Sequence, residues 1–153
     1  MAAQALWPFA LGFYTRPGAE AALLELQDAH GQCVAYLIWA LWLGAERRPA
    51  DARVLAQGAE LARSWQTAAL VPLRTLRREL GAAGPLADAR GRLRAKVQAL
   101  ELEAERMLLQ MLEAASPPGS KPAEDPTVIL GRAAAAWSRD RPPTALLQAL
   151  AAL

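Results

Sequence analysis

The sequence predicts an all-α fold, on three grounds. Ala and Leu dominate the chain, and both are strong helix formers. β-Branched residues are few, and no stretch of strict apolar/polar alternation marks a strand. Apolar residues make up 54% of the chain and charged residues 21%, a balance that folds rather than stays disordered. At 153 residues a single core can form without disulfides or metal. The expected architecture is a compact bundle of about five helices over residues 1–115, with one long helix at about 86–115. A Pro/Gly-rich linker at 116–126 and a loosely attached, mobile helical tail at 127–153 complete it.

The first helix is expected from Leu6 to Tyr14. Leu6, Phe9, Ala10 and Phe13 recur at i, i+3, i+4, i+7 and form one apolar stripe. Pro8 fits there only because it lies in the first turn. The second helix should span Pro17 to His30, with Ala19, Ala22, Leu23 and Leu26 inward and Gly31 at its C′ position. The third, Cys33 to Leu43, has no polar face and should be surrounded by other helices. The fourth opens near Asp51, a helix N-cap or first-turn acid. Its inner stripe is Val54, Gly58, Leu61, Trp65 and Ala68, and Pro72 should kink or split it. A short helix at Leu73 to Leu80 leads to the Gly81-Ala-Ala-Gly84-Pro85 break. In the long helix Leu86, Leu93, Leu100 and Met107 repeat every seven residues, interleaved with Val97, Ala104 and Met111. This set is read as the inward stripe. Thr127 to Ser138 and Thr144 to Leu153 are the helical candidates of the tail. Of the five tryptophans, Trp7, Trp39, Trp42 and Trp65 are read as core, and Trp137 as an anchor for the tail.

Composition narrows the function classes. Seventeen basic and fifteen acidic side chains leave a net charge of +2, too little for a whole-protein nucleic-acid footprint. One cysteine, Cys33, excludes an intramolecular disulfide. The apolar N-terminal stretch has its first positive charge, Arg16, on the wrong side for a secretory signal. The run Cys33 to Leu43 is well short of the roughly 20 residues of a membrane span. The expected location is therefore the cytoplasm. One histidine, His30, rules out a His-based metal set, and no phosphate loop, nucleophile elbow or Ser/His/Asp set is visible. No catalytic residue, cofactor or metal is expected.

The polar residues of interest are Tyr14, Gln27, Asp28, Arg74, Arg77, Glu101 and Glu105. Asp28 lies in the last turn of its helix, where the dipole disfavours an acid and an arginine partner would compensate. On a helical wheel Arg77 borders the Leu73/Leu76/Leu80 stripe while Arg78 points away. Glu101 flanks the inner face of the long helix, so an Arg77–Glu101 contact is expected. Along that helix Arg90, Arg92, Arg94 and Lys96 precede Glu101, Glu103, Glu105 and Glu113, the reverse of what the helix dipole favours.

The segments Leu6-Trp7-Pro8-Phe9-Ala10-Leu11, Tyr14-Thr-Arg-Pro17-Gly18 and Leu26-Gln27-Asp28-Ala-His-Gly31, with Val34, Trp39 and Trp42, resemble a family of small proteobacterial proteins. That family is known only as a domain of unknown function. Pro72-Leu73-Arg74-x-x-Arg77 and Glu101-Leu102-x-x-Glu105 are similar to its later part, so the resemblance runs from Leu6 to Leu112. Where the pattern has Asp-Val-Asn, this chain has Cys33-Val34-Ala35. The resemblance implies a small cytoplasmic helical protein and supplies no activity.

Three functions follow from these residues. The first is a non-enzymatic protein–protein interaction or adaptor module, with another protein as partner. The second is an enzyme or small-ligand binder using a polar pocket between helices. The third is binding of an anionic surface or nucleic acid through Arg74 to Lys96, where seven cations meet two acids; nucleic acid is the least favoured partner. The oligomeric state is not specified.

Overall fold

A computed structural model describes residues 3–81 and 84–153; the predicted break at 81–85 thus falls partly, at Ala82 and Ala83, outside the described residues. Helix α1 (Leu6–Tyr14) buries Leu6, Ala10 and Phe13. Helix α2 (Ala19–His30) buries Ala19, Leu23 and Leu26, and ends at Gly31 with φ 60°, a left-handed conformation that suits glycine. Helix α3 (Val34–Ala45) buries every residue from Ala35 to Leu43. It contacts α1 and α2, as well as α4 (Ala52–Trp65), α6 (Ala87–Ala115) and α7 (Pro126–Trp137). That enclosure accounts for its lack of a polar face.

The side chain of Asp51 caps α4 by accepting from the N–H groups of Arg53 and Val54. Here the buried face is Leu55, Gly58, Ala59 and Ala62, with Val54, Leu61 and Trp65 half-buried; Ala68, expected inward, is exposed. Pro72 does not split the rod. A π turn (Gln66–Leu70) joins α4 to α5 (Val71–Glu79). Pro72 lacks an N–H to donate, and the wider turn just before it lets the helix continue.

The long helix α6 departs most from expectation. Its Leu86, Leu93, Leu100 and Met107 stripe is exposed, at 67%, 49%, 55% and 42% respectively. Of the expected set Val97 and Ala104 are buried and Met111 is half-buried, and Leu108, Leu109 and Leu112 complete the buried face. The bundle meets α6 mainly along its C-terminal half, and the leucine row lies beside the contact face rather than in it.

The expected loose tail is also corrected. Helix α7 packs on α3 and α4, and α8 (Thr144–Ala151) packs on α2 and α7. Ile129, Leu130, Ala133, Ala134, Leu147 and Leu150 join the same core as the first helices. The bundle therefore takes in α7 and α8, two rods beyond the five expected. Trp137 is the anchor the sequence suggested. Its indole Nε1–H donates to the Gly31 carbonyl at 2.8 Å, and its ring leans on Tyr36 with centroids 5.6 Å apart. Four further aromatic polar groups are hydrogen-bonded. Tyr36 Oη donates to the Leu55 carbonyl, Trp39 Nε1 to Ser116 Oγ, Trp42 Nε1 to the Gln4 carbonyl and Trp65 Nε1 to the Ala104 carbonyl. No helix among the described residues is long and apolar enough to cross a membrane.

Candidate functional site

Helix α2 packs on α1, α3 and α8, whereas α5 packs on α6. The gap between α2 and the α5–α6 pair is a cleft of about 440 Å³. Tyr14 enters it from the end of α1, Glu20 and Gln27 from α2, Arg74 and Arg77 from α5, and Glu101 and Glu105 from α6. Leu23, Leu24 and Val34 supply an apolar wall. Six of the seven polar residues singled out in the sequence thus line one cavity. Asp28 does not: it is exposed, and among the described residues it forms no ion pair, so it stands as a solvated acid rather than a compensated one.

Two arginine–glutamate pairs join α5 to α6, and they differ. Arg77 Nε donates to Glu101 Oε1 at 2.6 Å, with 24% and 13% of the two side chains exposed. The Arg74 Nη2–Glu105 Oε1 pair is longer, at 3.5 Å, and Glu105 is 31% exposed. The first pair is a tight staple. The second is looser, with Arg74 itself only 17% exposed.

The electrostatics follow from partial burial. Burial holds the Glu105 carboxyl above its ordinary value of 4.5; Arg74 pulls it back and Glu101 adds to the rise. The Tyr14 phenol is pushed well above its usual range, first by burial and then by Glu105, so it remains a hydrogen-bond donor at neutral pH. Cys33 sits behind the Val34 wall within electrostatic reach of Arg74 and Glu105, and burial raises its thiol to about 11. Three carboxylates face two guanidinium groups across the cleft, which leaves one negative charge in excess.

Sequence reasoning missed Glu20, Leu23, Leu24 and Val34. Leu23 reads as core and Glu20 as a first-turn acid, so neither carries a signal of its own. Only the opening between α2 and α5 turns them toward a common space.

A second cleft of about 480 Å³ lies between the α3–α4 connection and residues 121–132. Its polar groups are mostly spent on structure. Arg132 donates to the Ala50 carbonyl and pairs with Glu124, and Arg48 stacks on Trp42 while donating to the Pro117 carbonyl. They hold the 116–125 connection down. His30 lines a third depression with Arg63, Trp137, Ser138 and Asp140, but among the described residues no hydrogen bond joins it to Ser138 or Asp140. Nor is any group of three His, Cys, Asp or Glu among the described residues placed to hold a metal ion.

Residues 5–112 match the family model described as a protein of unknown function, DUF2390. The chain belongs to the DUF2390 family. No curated protein and no solved structure matches it. The DUF2390 segment includes every lining residue of the cleft and ends inside α6, before α7 and α8 begin.

Proposed function

We propose that this DUF2390 protein binds a small amino-acid-like ligand, carrying both an ammonium and a carboxylate, in the cleft between α2 and the α5–α6 pair. The observation that carries this reading is the looser Arg74–Glu105 pair at 3.5 Å, set beside Tyr14 and Gln27. A ligand carboxylate would take the Arg74 guanidinium, since charge-assisted contacts to arginine are the stronger kind. The ammonium would take Glu105 and Glu20, in line with the one negative charge in excess. Leu23, Leu24 and Val34 would hold a short apolar side chain.

Calorimetric titration of the full chain with free amino acids, simple primary amines and monocarboxylates tests this. An amino acid is expected to saturate one site, with Arg74→Ala and Glu105→Gln each weakening it about tenfold or more. Binding that both variants leave intact, or silence across the whole panel, would dismiss the proposal.

Contact with another protein is the second reading, favoured by the exposed leucine row of α6. A pull-down at physiological salt that retains no partner counts against it. The basic stretch Arg74 to Lys96 supports anionic-surface or nucleic-acid binding less well. Arg74 and Arg77 are paired with glutamates and Arg90 donates to the Glu79 carbonyl, so the seven cations do not act as one free surface.

A further inference from the structure

The outer face of α6 carries a row of apolar side chains that the described residues leave exposed. Leu86, Leu93, Leu100 and Met107 stand seven residues apart and are each between 42% and 67% exposed. On a helix of 3.6 residues per turn they form one nearly straight ridge, roughly 30 Å long. A monomer seldom leaves so long an apolar row open to water.

Charge identifies the kind of partner. Arg92 flanks the ridge on the N-terminal side of its midpoint, Glu103 on the C-terminal side and Lys96 at the midpoint itself; all three are exposed and, among the described residues, none forms an ion pair. Two such helices laid side by side in parallel would set cation against cation and acid against acid. Laid antiparallel about a two-fold axis near Val97, they set Arg92 of each copy opposite Glu103 of the other. Leu93 then falls against Leu100 and Leu86 against Met107 to within about 3 Å along the helix, a shift that long charged side chains span. The apolar row and the Arg92–Glu103 pair are thus self-complementary in one orientation, as a two-fold interface requires, with Lys96 left near the axis at the solvent edge. The reversed charge order of α6, unfavourable to its own dipole, gains a reason in this arrangement.

We infer that the α6 ridge is a self-association surface on which a second copy of the chain packs antiparallel. This gives the protein-contact reading its partner and is independent of the ligand cleft. A contact one helix wide is smaller than the roughly 800 Å² per partner of a standard interface, so the dimer is weak and depends on concentration.

Sedimentation of the full chain tests it. The mass is expected to be 16.4 kDa in dilute solution and to climb toward twice that through the micromolar range. Leu93→Glu with Leu100→Glu should abolish the rise while far-UV circular dichroism stays unchanged, since both positions are exposed. Arg92→Glu alone should weaken association about tenfold, and adding Glu103→Arg should restore it. A chain that stays monomeric at the highest concentration reached overturns the inference, as does a dimer indifferent to the leucine changes or unrestored by the charge swap. A monomer that still retains a different protein through Leu93 and Leu100 overturns self-association alone and leaves the protein-contact reading standing.

Discussion

Gly58 shows how single positions are constrained in this bundle. It faces the Trp39 ring, and a Cβ placed on it would overlap that ring. The ring cannot easily yield, because its Nε1–H is held by Ser116 Oγ at 2.8 Å. Gly58→Ala is therefore expected to destabilise by about 1–3 kcal/mol in urea denaturation through overpacking, outweighing a helix-propensity gain of about 1 kcal/mol. Gly91 in α6 has open space around its Cβ position. Gly91→Ala should do the opposite and stabilise by about 0.5–1 kcal/mol. Glu105 sets a pH dependence of definite sign. Its carboxyl holds a proton more tightly in the folded chain than at the ordinary value of 4.5. Over the interval above that value the folded state binds more protons than the unfolded one, so stability falls as pH rises through it. Melting curves of wild type and Glu105→Gln should therefore diverge upward from pH 4.5, with the wild type losing relative stability; parallel curves would refute this.

The helices differ in how much of their position they set for themselves. Helix α4 starts where its own sequence says, because Asp51 satisfies two N–H groups that the first turn leaves unpaired. Asp51→Ala should cost about 1 kcal/mol, seen as a lower urea midpoint with unchanged slope. The first turn of α1 is held from elsewhere. Its Leu6 N–H donates to Glu113 Oε2 at 3.3 Å, a residue 107 positions away. Helix α5 has no buried residue and is strongly two-sided. Leu73 packs against the core, and the Arg77–Glu101 and Arg74–Glu105 pairs tie the helix to α6. The same two pairs that fasten α5 also furnish the polar side of the cleft, which is why that wall is charged rather than apolar.

For the molecule as a whole, the tail completes the core. Helix α7 covers α3 and α4, and α8 covers α2. Without them the uncharged surface of α3 would lie open to water. A chain ending at Ser116 should lose the burial of Ile129, Leu130, Ala133, Ala134, Leu147 and Leu150. At roughly 1.5–3 kcal/mol for each large side chain, the four Leu and Ile side chains alone are comparable to the 5–15 kcal/mol by which a typical domain is stable. The truncated chain is expected to unfold without a cooperative transition or to aggregate, read by calorimetry and dye binding. A sharp, reversible melt would show that residues 5–112, the DUF2390 segment, form a self-sufficient unit.

Local signals marked every helix of the described residues, because periodicity, caps and breakers such as Asp51 and Gly31 act within a turn or two of themselves. They also placed Arg77 and Glu101 beside apolar stripes, and singled out Tyr14, Gln27, Arg74 and Glu105 without a placement. They did not tell which flank of α6 would be covered. Leu86 to Met107 and Val97 to Leu112 are both apolar rows on one helix, and only the position of α1, α3 and α4 decides between them. Nor did they show that α7 would dock, since the Pro-rich connection is compatible with a free or a packed tail. Sequence fixes what each helix has to bury. Which neighbour buries it, and where a gap such as the cleft is left, depends on packing all the helices at once.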